Sequence, residues 1–244
     1  MVNLKGEDCR HENRGITVAV MSNATLPKPG LKVIPLNRET LQDRVYRRIC
    51  DMILDGEIEP GKQVTIQAVA DACGVSHMPV REALKRLTAA NALTVVSGRS
   101  IGIASLSRAV LTDLRNVRVE VESLAAVWAA RHITEEEMVK LGEECRRLEA
   151  AIAAGDVKSY LRANHAFHFT IYRASRSARL VAIIENLWLQ ISPYFNNLGG
   201  SYSVANAHHQ IMVNALRQRD EKKVEAALRA DLDDAYKVLV NLVE

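Results

Sequence analysis

Four polar residues interrupt otherwise apolar helical stripes in the second half of this chain. Asn164 and His168, four residues apart, fall between Leu161 and Ile171; His209 falls between Ala205 and Met212; Asp231 falls between Leu228 and Ala235. Burying such groups without partners costs on the order of 1–3 kcal/mol each. They must therefore meet one another, a metal or a polar ligand. Two imidazoles, an amide and a carboxylate form a donor set for a divalent cation such as zinc or nickel, with water or an effector completing the shell. The same spacing allows a hydrogen-bonded polar core equally well. His165 and His208 lie about 100° round their helices from Asn164 and His209 and read as pocket-edge residues.

A second concentration of chemistry lies earlier. Residues 76–100 carry Arg81, Lys85, Arg86 and Arg99 against the single acid Glu82. The whole chain has a net charge of only +3, too small to argue for nucleic acid by itself, so the local stripe carries that argument. Arg81, one turn into a helix, suits bidentate contact with O6 and N7 of guanine. Lys85, Arg86 and Arg99 suit phosphates, which set register without reading sequence.

The elements that position these residues follow from period and turn chemistry. Residues 1–36, with Pro27, Pro29, Gly30 and Pro35 and no apolar period, read as a flexible tail. In residues 37–105, Leu41, Val45, Ile49 and Ile53 repeat at helical spacing and Pro60-Gly61 follows. A short helix from about Thr65 to Ala72, the turn Cys73-Gly74-Val75-Ser76 and a helix with Pro79 in its first turn come next. Leu93–Val96, the turn at 97–100 and Ile101–Ala104 make a hairpin. Together these form a winged helix–turn–helix, which offers the third helix to a major groove and the hairpin to the backbone.

From 106 to 244 the pattern is helical almost throughout. Val110, Leu114, Val117, Val121, Leu124 and Trp128 mark the first of six amphipathic helices, and Val224, Leu228, Ala235, Val238 and Leu242 mark the last. Six such helices predict a closed bundle. The fold is therefore expected to be mainly α: a winged helix–turn–helix with a short β-hairpin wing, then an all-α six-helix bundle.

The string from Pro60-Gly61 through Gly74-Val75-Ser76 to Pro79-Val80-Arg81-Glu82-Ala83-Leu84 resembles the DNA-binding domain of GntR-family bacterial regulators. It is most similar to the FadR/FCD subfamily and resembles the six-helix VanR-like group within it. The resemblance implies that Arg81 and the residues just after Ser76 read an operator, with Thr65, Ser76, His77, Met78, Arg81, Lys85, Arg86 and Arg99 as the DNA-binding set. His77-Met78 stands where the family usually has Arg-Thr, and Asn91 lies where Gly is usual. Asn164…Phe167-His168 and His208-His209 are similar to the metal-binding elements of the FCD domain, which implies a metal set of Asn164, His168, His209 and Asp231. Asp231 takes the place of a third His, and Asn164 that of a more usual Asp. Arg118 and Glu122 match an Arg-x-x-x-Glu element. Arg118 would suit an effector carboxylate, with His165 and His208 beside it. An i,i+4 ion pair on the helix surface is the alternative for Arg118 and Glu122.

Composition excludes other classes. No apolar run approaches the roughly 20 residues of a membrane span, and the first 35 residues lack a secretory layout, so the expected location is the cytoplasm. Cys9, Cys50, Cys73 and Cys145 form no CxxC pair, which argues against zinc knuckles and disulfides; Cys73 and Cys145 are expected in the core. The expected function is a repressor: a cytoplasmic homodimer on double-stranded operator DNA, controlled by a small carboxylate in the bundle. The rival is a metal-dependent bundle enzyme with an attached DNA-binding head, against which stand the missing Glu-x-x-His pair, nucleophile motif and phosphate loop.

Overall fold

The computed structural model describes residues 40–242, so the expected tail, residues 1–36, lies outside them. Helix α1 (Leu41–Leu54) starts at Thr40, whose side chain accepts from the Asp43 amide, and buries Val45, Ile49 and Ile53. Strand β1 (Gln63–Thr65) leads into α2 (Ile66–Cys73), capped by Thr65. Gly74 ends α2 with φ of 63°, a left-handed conformation that glycine adopts without Cβ strain. Helix α3 (His77–Ala89) follows; Ser76 occupies its N-cap position with extended backbone, but its hydroxyl makes no cap bond. Asn91 takes φ of 55°, which its short polar side chain tolerates in place of Gly.

Strands β2 (Leu93–Ser97) and β3 (Ser100–Ile103) form the wing. The sheet has three antiparallel strands in the order β1-β3-β2, with Gln63 opposite Gly102 and Thr65 opposite Ser100. The sequence predicted only the hairpin. Three residues are too few to show a period, so β1 is recognisable only through its partner strand.

The bundle comprises α4 (Arg108–His132), α5 (Glu135–Ala154), α6 (Val157–Ala174), α7 (Ala178–Ile191), α8 (Tyr202–Arg217) and α9 (Glu221–Leu239). A 3-10 segment, Ser192–Ser201, links α7 to α8 where the Pro193 break was expected. Helix α4 corrects part of the predicted face. Val110, Val117 and Leu124 point outward, at 45%, 40% and 42% exposure. Leu114 turns inward as expected and Val121 and Trp128 pack half-buried against the core, joined there by Leu111, Arg118, Glu122, Ala125 and Ala129. Alanines let α4 pack closely, and Arg118 and Glu122 enter the core because they pair. Among the other expectations, Cys145 is buried but Cys73 only half-buried.

Two clusters of buried side chains divide between the head and the bundle. Leu189 of α7 nevertheless belongs to the head's core. Tyr194 packs against both; its hydroxyl donates to the Ala104 carbonyl at 2.8 Å and accepts from the Leu106 amide at 3.2 Å. Arg162 of α6 bonds Asp55 at 2.5 Å, and a Cβ at Gly56 would collide with Asn196.

Candidate functional site

On the head, α3 presents Met78, 65% exposed, and the exposed side chains of His77 and Arg81 along the end that follows the turn. His77 is held by Gln67 of α2 at 2.6 Å, so the first residue of α3 is braced by the preceding helix. Lys85 pairs with Glu82 on the surface, and Arg99 is exposed at the wing turn. Two of the predicted contact residues have internal duties. Thr65 caps α2, and Arg86 bonds Asp43 at 3.0 Å with its guanidinium 3.9 Å from the Tyr46 ring centre. Arg86 thus ties α3 to α1.

In the bundle, His168 of α6, His209 of α8 and Asp231 of α9 bring one ligand atom each within 4.8 Å of one another. His168 Nε2 lies 3.2 Å from His209 Nε2 and 3.4 Å from Asp231 Oδ2; His209 Nε2 lies 3.7 Å from Asp231 Oδ1. A tetrahedral ion with ligands at about 2.0–2.1 Å requires neighbouring donors roughly 3.3 Å apart, so this spacing fits zinc-type coordination. Asn164 lies one turn before His168, half-buried, and its side chain has no hydrogen-bond partner among the described residues.

A hydrogen-bond chain orients His168. Arg118 Nε donates to Glu122 at 2.7 Å, and the Tyr172 hydroxyl donates to the same carboxylate. With its proton committed there, the Tyr172 oxygen accepts from His168 Nδ1 at 3.1 Å. His168 Nε2 is then the unprotonated nitrogen facing the cluster, the outer-shell arrangement that prepares a histidine for a cation. His209 Nδ1 is buried with no partner among the described residues, so this second ligand lacks such support.

Burial governs the protonation of the set. It drives the His168 imidazole well below its usual range, with the neighbouring His209 adding to the effect, and lowers His209 to about 3. Burial also pushes the Asp231 carboxyl up to about 8. Three neutral groups therefore occupy the centre at neutral pH, and losing the Asp231 proton converts them to a donor set of charge −1.

The structure thus brings together His168, His209 and Asp231. Arg118 and Glu122 are a buried pair beside them rather than a surface one. His208 pairs instead with Asp234 at 2.9 Å, and His165 packs against Phe169 and Trp188. Tyr172 and Trp188 were not predicted. Tyr172 follows His168 by four residues, a spacing that marks the same helix face; Trp188, with its ring centre 5.3 Å from that of His168, carries no local signal.

A winged helix–turn–helix followed by a helical bundle is the architecture of a DNA-binding regulator. Residues 41–103 match the bacterial regulatory proteins of the gntR family, and residues 113–234 match the FCD domain. The chain belongs to the GntR family of transcriptional regulators, in the branch that carries an FCD domain. It is 27% identical over 172 residues to the HTH-type transcriptional regulator McbR of Escherichia coli K12, covering 68% of this chain and 78% of McbR. The HTH-type transcriptional repressor GlaR of the same organism is 26% identical over 152 residues, 59% of this chain and 67% of GlaR. The solved structure of E. coli McbR/YncC superposes with a TM-score of 0.78 at 24% identity, over 84% of this chain and 99% of that one, and so shares the fold. The matching families and relatives are regulators of transcription, and this chain is a regulator rather than an enzyme.

Proposed function

We propose that the protein is a cytoplasmic repressor whose grip on operator DNA is set by a small carboxylate bound at a divalent cation in the bundle. The observation that carries this reading is the buried His168–His209–Asp231 set at ligand spacing. These three residues would hold the ion, with Asn164 as a fourth candidate. When bound, the ion supplies a positive anchor for a carboxylate oxygen. Arg118 engages Glu122 through Nε and Nη2, which leaves Nη1 as a donor for the same carboxylate. Repression is the reading favoured by the likeness to GlaR. On the head, Ser76, His77, Met78 and Arg81 would face base edges, and Lys85 and Arg99 phosphates.

Coupling would run through α7. Trp188 touches His168, while the next residue, Leu189, is planted in the head's core. An effector that binds one arrangement of α7 more tightly shifts the head accordingly. A two-fold operator requires two heads. The outward stripe of Val110, Val117 and Leu124, seven residues apart, is the seam we assign to a second copy.

Elemental analysis of protein never exposed to chelator or nickel resin tests the centre. Stoichiometric metal, lost in both His168→Ala and His209→Ala together with effector response but not basal operator binding, is the expected result. No metal, and a melting temperature indifferent to chelator, would leave a hydrogen-bonded polar core. Sedimentation of Leu124→Glu tests the seam, with monomers expected.

A further inference from the structure

Between head and bundle lies a cleft of about 540 Å³, a volume typical of small-molecule sites, which favour domain junctions. None of His168, His209 and Asp231 lines it. Its floor is Phe169, Trp188 and Leu189, all buried, and half-buried Tyr46, Cys50 and His165 form its walls. Burial raises the Cys50 thiol to about 11, so it carries no charge at neutral pH.

The rim is charged where the floor is not. Arg173 and Glu185 stand on the bundle side, Arg47 and Asp51 on α1. Arg173 lies 5.4 Å from the Phe169 ring centre and is only loosely paired with Glu185, at 3.9 Å. The Asp51 carboxyl is pushed up, by burial first and then by neighbouring Asp55, which weakens the negative side of the rim. Trp188 contributes an indole N–H that is buried with no partner among the described residues.

We propose that this cleft is a second small-molecule site, for a ligand with an aromatic body and one anionic group. Its ring would lie against Phe169, Trp188 and Tyr46, in the offset or edge-on geometry aromatic groups prefer. A ring on Phe169 brings its anionic substituent to Arg173. The site is distinct from the cation set, since none of the three ligands lines it, although Trp188 borders both. An occupant touches α1 on one wall and α6 and α7 on the other, and so fixes the arrangement of head and bundle independently of any metal.

Anilinonaphthalene sulfonate, an aromatic monoanion, and N-phenylnaphthylamine, its neutral analogue, are the probes, titrated by fluorescence into the full chain. Both are expected to saturate at a single site per chain, with the same affinity in chelated and zinc-loaded protein. Ala182→Phe, and separately Asn186→Phe, fill the exposed rim of α7 and are expected to weaken both dyes by about tenfold or more. Arg173→Gln is expected to weaken the sulfonate by about two- to fivefold and leave the neutral dye unchanged. Wild-type affinity in both rim-filled variants, or loss of the dyes on zinc loading, would overturn the second site. An equal effect of Arg173→Gln on both dyes would overturn the anion.

Discussion

The basic surface of the head, which we propose meets DNA, and the polar centre of the bundle are built on opposite principles. The first uses exposed side chains from one short stretch of chain, Ser76 to Arg99, set in water by the ends of α3 and the wing turn. The second uses buried side chains from α6, α8 and α9, whose protonation is displaced by loss of solvent. A phosphate backbone is a large, hydrated anion, and exposed cations meet it at little desolvation cost. A single metal ion must be surrounded, and the groups that surround it must be dry, oriented and drawn from several directions. Reading a polymer needs local geometry; enclosing an ion needs tertiary convergence.

Breaking the bundle centre should therefore cost most. Glu122→Ala leaves Arg118 as an unpaired buried charge, and an expected loss of about 3–5 kcal/mol should appear in chemical denaturation. Replacing both partners at once, Arg118→Met with Glu122→Leu, is expected to recover most of that loss. A harmless Glu122→Ala would show that the pair does not hold the centre together.

The head should behave differently. Arg81→Ala is expected to cost about 1–3 kcal/mol in operator affinity with the fold unchanged, and to relax specificity at one base position. Gel-shift titration on the selected operator and on a scrambled duplex separates the two effects.

Acidification sharpens the contrast. Because the Asp231 carboxyl is raised to about 8 in the metal-free protein, a cation must displace its proton at neutral pH. Affinity should then fall by about tenfold per pH unit below that value and level off above it. A break near the ordinary imidazole value instead would assign the competing protons to the histidines. The smallest effect is expected at Lys85, where Lys85→Ala should weaken all duplexes alike and reduce the salt slope by about 1.

Much of the head was legible because its signals are local. Thr65 and Gly74 mark the limits of α2, Pro79 falls in the first turn of α3, and the wing announces itself by two short apolar runs either side of the turn at 97–100. β1 was not legible, since its three residues have meaning only beside β3. In the bundle, His168, His209 and Asp231 were visible as polar interruptions of apolar stripes, and the structure gathers them. Helix α4 misled. Of its predicted face, Leu114, Val121 and Trp128 meet the core, whereas Val110, Val117 and Leu124 face outward.

Sequence alone determined the order of the helices and the wing hairpin, the turn chemistry of the head and the residue types capable of holding a cation. Those depend on backbone preference and period, which act over a few residues. Only the tertiary structure decided which face of α4 is buried, that Arg86 serves α1, that Tyr172 bridges Glu122 to His168, and that α7 places Trp188 in the bundle and Leu189 in the head. Such pairings depend on side chains brought together across the fold. Helical periodicity states that a residue shares a face, but only packing selects what that face will meet.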